Sequence, residues 1–167
     1  EASLLPSSAT AVESSMAYGI KFTGVEGLTV GLVTGENNDK QADTVGGHTA
    51  GKTMENTSMF LTYAMDAFTV GVQNNESDSG TSNADYDYRG YGISYALSED
   101  LSVSYGIGSM EFENSSLEDQ EHSALGVSYT NGSMTISGSM HEGDNLAGSS
   151  SSANDKKGYE LNIGFAF

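Results

Sequence analysis

The chain has 167 residues, with 21 glycines, one proline, no cysteine and a net charge of −17 from 23 acidic and six basic side chains. The absence of cysteine excludes disulfides, thiolate zinc sites and cysteine nucleophiles. The shortage of lysine and arginine argues strongly against a nucleic-acid-binding surface, which needs clustered cations. No stretch of about 18 apolar residues is present, which excludes a transmembrane helix.

Apolar residues alternate with small or polar residues along about nine segments. This period of two is typical of β-strands with one apolar face. In chain order, the segments are 16–22, 28–32, 61–65, 68–72, 91–97, 101–107, 125–129, 134–140 and 159–167. Val33 and Phe60 are apolar residues at positions of the alternation that otherwise carry small or polar side chains.

Short and long connections alternate between these segments. The short ones are 24–27, 65–67, 97–100 and 131–133, and the long ones are 36–57, 74–87, 113–121 and 142–156. Asn131-Gly132 is a hairpin signal because both residues tolerate positive φ. Outer-membrane barrels have tight turns at one end and long loops at the other, and their strands have about ten residues. The sequence therefore predicts an all-β, antiparallel, up-and-down transmembrane β-barrel.

A soluble β-sandwich or lipocalin-like barrel is the alternative, but its second face would be charged and β-branched. Here that face carries mainly Gly, Ala, Ser and Thr, which favours the membrane barrel. We expect the apolar parity to face lipid at Tyr18, Ile20, Val30, Tyr105, Ile107, Val127, Ile136, Leu161 and Ile163. We expect the opposite parity to line a pore at Lys21, Thr69, Gln73, Ser104, Ser137, Glu160 and Asn162. Aromatic residues beside the short turns indicate an interfacial girdle, at Phe22, Tyr63, Phe68, Tyr95, Tyr129, Phe165 and Phe167.

The last strand resembles the C-terminal signature of bacterial outer-membrane proteins, which ends in an aromatic residue with apolar residues at alternate positions before it. Tyr159, Leu161, Ile163, Phe165 and Phe167 occupy those positions. The resemblance implies that these residues are the signal recognised by the barrel-assembly machinery.

The wider chain resembles the C-terminal half of alphaproteobacterial general porins, in the fragments 17–20, 90–95 and 125–129. This resemblance implies a homotrimeric channel in the Gram-negative outer membrane for passive diffusion of small hydrophilic solutes and ions, in contact with lipid and lipopolysaccharide. A non-conducting anchoring or interaction barrel is the alternative. No line of aromatic residues facing the polar interior, of the kind that guides sugars, is expected.

We expect residues 1–15 to form an extracellular loop segment and residues 16–167 to form the barrel strands. About nine strands cannot close a barrel that has an even strand number and both ends in the periplasm. The family's sixteen-stranded architecture implies an upstream N-terminal half that supplies the other strands and the inward-folded constriction loop.

Two patterns that suggest enzymatic chemistry lack their context. Residues 46–53 match a phosphate-binding loop, but neither a strand directly before them nor a helix directly after them is predicted. His48, His122 and His141 have no metal-like spacing, and no Ser-His arrangement is selected. We therefore expect no enzyme activity and no cofactor.

Acidic residues concentrate in the predicted long loops. Solvation explains them, and binding of divalent cations that bridge lipopolysaccharide phosphates is the alternative. Because these loops would lie at the pore mouth, we expect cation selectivity, with Glu160 and Lys21 as the wall charges. A solvated role is the alternative for Lys21. The acidic residues are Glu76, Asp78, Asp85, Asp87, Glu111, Glu113, Glu118, Asp119, Glu121, Glu142 and Asp144.

Overall fold

The computed structural model describes residues 2–5, 12–39 and 52–166. This part of the chain folds into ten strands and two short 3-10 helices, Leu146–Gly148 and Ser152–Asn154. The strands are β1 (Ala2–Leu5), β2 (Val12–Val25), β3 (Leu28–Asp39), β4 (Lys52–Met65), β5 (Phe68–Asp78), β6 (Tyr86–Ala96), β7 (Leu101–Phe112), β8 (Gln120–Asn131), β9 (Met134–Asp144) and β10 (Lys156–Phe165). None of the helices in these ranges is long and apolar enough to span a membrane.

The strands form one sheet in which each pairs antiparallel with the next along the chain, from β1 to β10. The nine long strands β2 to β10 and their up-and-down order are as predicted from the alternation. The four predicted short turns each join adjacent strands, and we call their side of the sheet the short-turn end. The opposite side, which carries the long connections, is the long-loop end.

Three of the short turns contain a residue with positive φ. These residues are Gly27 with φ of 75°, Asp66 with φ of 50° and Gly132 with φ of 57°. Gly132 and Ser133 form the loop between β8 and β9. Asn131 is the last residue of β8, and the hairpin turn predicted at residues 131–133 is confirmed. Glycine accepts this conformation without the steric cost that a Cβ would impose.

Several strand boundaries differ from those expected. β1 pairs with β2 in the register Ala2↔Tyr18 to Leu5↔Ser15, and β2 begins at Val12 rather than Met16. β5 continues to Asp78, and β6 begins at Tyr86, inside the segment predicted as a long loop. The long-loop ends of the strands are therefore longer than the apolar alternation indicated.

The sheet has two chemically different faces. Directly paired residues lie on the same face, so the strand registers assign every described strand residue to one of them. The apolar face carries nearly all of the large exposed apolar side chains, and the small-residue face carries Gly, Ala, Ser, Thr, Asn and Gln. Among the described residues, no apolar side chain is buried, so the apolar face needs an apolar environment outside these residues.

Candidate pore wall

The apolar face ends abruptly before the strands end. On β6 the sequence Tyr95, Ile93, Tyr91 is followed on the same face by Arg89 and Asp87. On β10 the apolar stretch from Phe165 to Tyr159 covers about 20 Å at about 3.3 Å per residue, and Lys157 follows it. An apolar stretch that ends in charged residues on the same face is typical of the lipid-facing band of outer-membrane barrels.

The residues expected to face lipid share the apolar face. Ile20 pairs with Leu32, and Leu32 pairs with Met59, so these three residues lie on the same face of the sheet. The later strands continue this face. Phe68 and Tyr95 stack there beside the short turns, with ring centroids 4.4 Å apart. The positions on this face are Tyr18, Ile20, Val30, Tyr105, Ile107, Val127, Ile136, Leu161 and Ile163.

The seven candidate pore-lining residues all lie on the small-residue face. Lys21 on β2 is directly opposite Gly31, and Glu160 on β10 is directly opposite Ser139. These two charged residues are therefore near the two edges of the sheet. The remaining five lie between these edges or on β10 itself: Thr69, Gln73, Ser104, Ser137 and Asn162.

The middle of the small-residue face is uncharged. Among the described side chains on this face of β3 to β9, none belongs to aspartate, glutamate, lysine or arginine. This is notable in a chain with a net charge of −17. The other charged side chains of the strands lie on β2 and β10 or on the apolar face near the long-loop end, and the register also pairs Asp39 with Lys52 at the long-loop end of β3 and β4.

Aromatic side chains that the sequence analysis did not expect lie on this uncharged wall. Tyr86 and Tyr88 belong to the extended part of β6 and share the face of Gly90. Because β6 begins earlier than expected, the sequence alone did not assign these two rings to this face. The fact that Phe60 breaks the polar parity was the one signal in the sequence.

The aromatic rings lie along the wall over glycines. The ring of Phe60 occupies the space that a Cβ at Gly31 would need. The Tyr88 ring similarly covers Gly108, and its hydroxyl lies 3.0 Å from the Cβ position of Gly90. Phe60 and Tyr88 are half-buried, so part of each ring contacts the wall and part remains exposed.

A groove of about 500 Å³ runs between these rings. Its floor includes Gly90 and Gly108, and Gln73 lies directly opposite both Phe60 and Gly90. Small residues line much of the rest of the groove, with His122 and His141 as hydrogen-bonding side chains. Glu142 also belongs to the lining, but its carboxylate pairs with Lys157 of β10. The groove thus combines aromatic rings with amide and imidazole groups.

The strand pairing brings together two histidines that are distant in sequence. His141 lies opposite Ala124, two residues from His122 on the neighbouring strand, so the two are diagonal neighbours on one face. His122 Nε2 contacts Gln120 at 2.5 Å, and His141 Nε2 lies 2.8 Å from Ser139 Oγ. No group of three or more metal-ligating residues occurs in the described ranges. His48 and most of the phosphate-loop match at 46–53 lie outside them.

Several acidic residues expected in loops belong to strands. Glu76, Asp87, Glu111, Glu121, Glu142 and Asp144 lie on the apolar face near the long-loop end. Two of them form ion pairs, Glu111 with Arg89 at 3.2 Å and Glu142 with Lys157 at 2.8 Å.

The connection between β5 and β6 is held closed by one of the predicted loop carboxylates. Asp85 Oδ1 accepts hydrogen bonds from the Ser79 backbone N–H at 2.8 Å and from Ser79 Oγ at 3.0 Å. Asp85 therefore has structural partners, and solvation alone does not describe it.

The proposed assembly signal lies at the edge of the sheet. Tyr159, Leu161, Ile163 and Phe165 occupy the apolar face of β10, each at least 59% exposed. Phe167 lies outside the described residues. β10 pairs with β9 on one side, and within the described residues no strand pairs with its other side.

Comparisons with known proteins agree with this geometry. The search of curated proteins found no match. A solved structure described as the outer-membrane expressed OmpT of Vibrio cholerae matches with a TM-score of 0.62 and 17% sequence identity. The match covers 91% of this chain but 55% of that protein, so the chain spans little more than half of its length. The model of the Gram-negative porin family matches residues 6–167. The chain belongs to the Gram-negative porin family, and it is a non-enzymatic β-barrel component of the Gram-negative outer membrane.

Proposed function

We propose that the chain forms part of a water-filled channel for passive diffusion of small hydrophilic solutes and ions. The observation that carries this proposal is the division of the sheet into two faces. One face exposes its large apolar side chains without any buried apolar core among the described residues. The other carries small and uncharged polar side chains, which suit a wall in contact with water.

The complete channel needs more strands than this chain contributes. Nine long strands in a segment that covers 55% of the matched porin correspond to about sixteen strands in a whole barrel of even strand number. In this proposal, an N-terminal half of the same barrel pairs with the two edges of the sheet and supplies the constriction loop. The barrel is of the alphaproteobacterial general porin type.

The proposal also assigns an orientation and partners. The short turns face the periplasm and the long loops face the exterior, as in other bacterial barrels. Leu5 at the end of β1 and Val12 at the start of β2 then lie toward the exterior. The outward acidic residues then meet the lipopolysaccharide layer. The barrel-assembly machinery reads the last strand, and the mature channel is a homotrimer.

Single-channel recording tests the proposed function. The intact porin containing this chain is purified, reconstituted into planar bilayers and recorded in potassium chloride. We expect stepwise, long-lived conductance increments, in groups of three for a trimer. A correctly inserted barrel without conductance would refute the diffusion function and favour a plugged anchoring barrel. A native mass matching only these 167 residues would refute the composite barrel.

A further inference from the structure

We propose that the groove between Phe60 and Tyr88 binds neutral polyhydroxylated solutes such as short oligosaccharides as they pass through the channel. This inference rests on the proposed channel function and names a solute class for it. The binding site consists of the two rings, the glycine floor between them and the hydrogen-bonding side chains Gln73, His122 and His141.

The lack of an unpaired charge among the described groove residues selects the solute class, since the carboxylate of Glu142 is paired with Lys157. The described side chains on this face of β3 to β9 include no carboxylate, lysine or arginine. A charged solute therefore gains no ion pair here to offset the loss of its hydration. A neutral solute keeps its hydrogen bonds by exchanging water for amide and imidazole groups.

The rings provide flat stacking surfaces. Phe60 lies over Gly31 and Tyr88 over Gly108, and both side chains are half-buried, so part of each ring remains accessible to a solute. The negative face of an aromatic ring attracts positively polarised C–H groups, and the ring faces of a sugar present several such groups. Glycine at both supporting positions allows this arrangement, since any larger residue would push the ring away from the wall.

Hydrogen-bonding groups lie between and beside the rings. Gln73, which lies between the strands of Phe60 and Tyr88, offers both a donor and an acceptor. His122 and His141 lie on the other side of the glycine floor. The groove volume of about 500 Å³ falls in the range of about 300–1,000 Å³ that is typical of small-molecule sites.

The test measures interruption of ion current by maltotriose. The intact porin is recorded in planar bilayers with millimolar maltotriose added, and polyethylene glycol of similar size serves as a solute that cannot stack. We expect resolved current interruptions with maltotriose alone. Phe60→Ala and Tyr88→Ala should each shorten the interruptions about tenfold, whereas Tyr88→Phe, which keeps the ring, should not. Tyr105→Ala, on the opposite face of β7 and outside the groove lining, is the matched control and should leave them unchanged.

The outcomes separate this inference from the channel function. A porin that conducts without maltotriose interruptions, or whose interruptions persist in Phe60→Ala and Tyr88→Ala, overturns the sugar site and leaves the channel intact. Lack of conductance overturns the channel itself. If a Gln73→Cys variant does not react with a water-soluble maleimide, another segment covers the groove, which also overturns the sugar site.

Discussion

The half of the sheet beside the short turns and the half beside the long loops, which we call the short-turn half and the long-loop half, both consist of paired strands. They differ in their surroundings. In the short-turn half of β5, Phe68, Val70 and Val72 lie on the apolar face, and the same face then continues as Asn74 and Glu76. The hydrogen-bonded pairing with β4 and β6 continues through both halves. The change from apolar to polar side chains on this face therefore indicates where the apolar environment ends. It does not indicate where the strand ends.

The small-residue face does not change at this border. It remains uncharged from Ser94 and Ser104 in the short-turn half to Asn75 and Ser58 in the long-loop half. Only one side of the sheet thus changes its environment along the strands. This difference is expected when one face passes from lipid to water and the other meets water throughout.

The largest effect should come from placing a charge on the apolar face in the short-turn half. Ile93 lies at the centre of the apolar stretch of β6, between Tyr91 and Tyr95. We expect Ile93→Arg to destabilise the inserted porin by about 2–4 kcal/mol, because a cation near the bilayer midplane loses its hydration. Reversible urea unfolding of the intact porin in lipid vesicles measures this change.

The matched control places the same side chain on the same face and strand in the long-loop half. Asp87→Arg introduces a cation between Glu76 and Glu111, and we expect a change of only about 0–1 kcal/mol, as near a membrane interface. Equal costs at Ile93 and Asp87 would show that the apolar face does not cross from lipid to water between them.

A smaller effect should come from filling the space beneath an aromatic ring. A Cβ at Gly108 would overlap the Tyr88 ring, whereas a Cβ at Gly106 would lie 3.5 Å from the nearest atom, the Tyr91 carbonyl oxygen. We expect Gly108→Ala to cost about 1 kcal/mol, since overpacking forces the ring to move. Gly106→Ala, two residues nearer the short turn, should be neutral or slightly stabilising because alanine restricts the unfolded chain.

A double-mutant cycle sharpens this prediction. In a Tyr88→Ala background the cost of Gly108→Ala should disappear, since the ring is absent. An unchanged cost would mean that strand pairing, and not the ring, requires glycine at Gly108.

The architecture could be predicted from the sequence because the lipid-facing half of each strand alternates so clearly. Leu161, Ile163 and Phe165 alternate with Asn162 and Gly164, which defines a strand and its apolar face together. The same argument assigned the pore-lining candidates to one face. This prediction requires that one face of the strand be apolar, so it succeeds only along the part of each strand whose outer face contacts lipid.

The groove could not be predicted because it lies where the alternation has ended. Both faces are polar around Asn74 and Asn75, so the sequence of this part of the chain resembles a loop. The sequence pattern therefore did not assign Tyr86 and Tyr88 to either face of the sheet. Strand pairing also brings His122 beside His141, a proximity that depends on register. Spacing along the sequence carries no information on either feature.

Ion selectivity tests whether the acidic residues of the long-loop half set the ion preference of a pore whose wall carries few charges. We expect cation preference in a salt gradient that weakens steeply as salt increases, because loop charges are screened beyond about 8 Å at physiological salt. Lys21→Glu should increase the preference at low salt and Glu160→Gln should reduce it, as measured by reversal potentials. Anion preference in the wild type would contradict the prediction, and an unchanged potential in Lys21→Glu would remove only its assigned role.

The smallest effect should come from the ion pair at the border between the two halves. Arg89 and Glu111 are 3.2 Å apart, with side chains 49% and 45% exposed, and Arg89 directly follows Tyr91 on the apolar face. Exposed pairs contribute about 0.2–1 kcal/mol, since water and salt screen them. We expect a double-mutant cycle of Arg89→Gln and Glu111→Gln to give a coupling energy in this range that vanishes in concentrated salt. A coupling above about 2 kcal/mol that persists in salt would mean that the pair lies in an apolar environment, which would move the border of the lipid-facing half beyond Arg89.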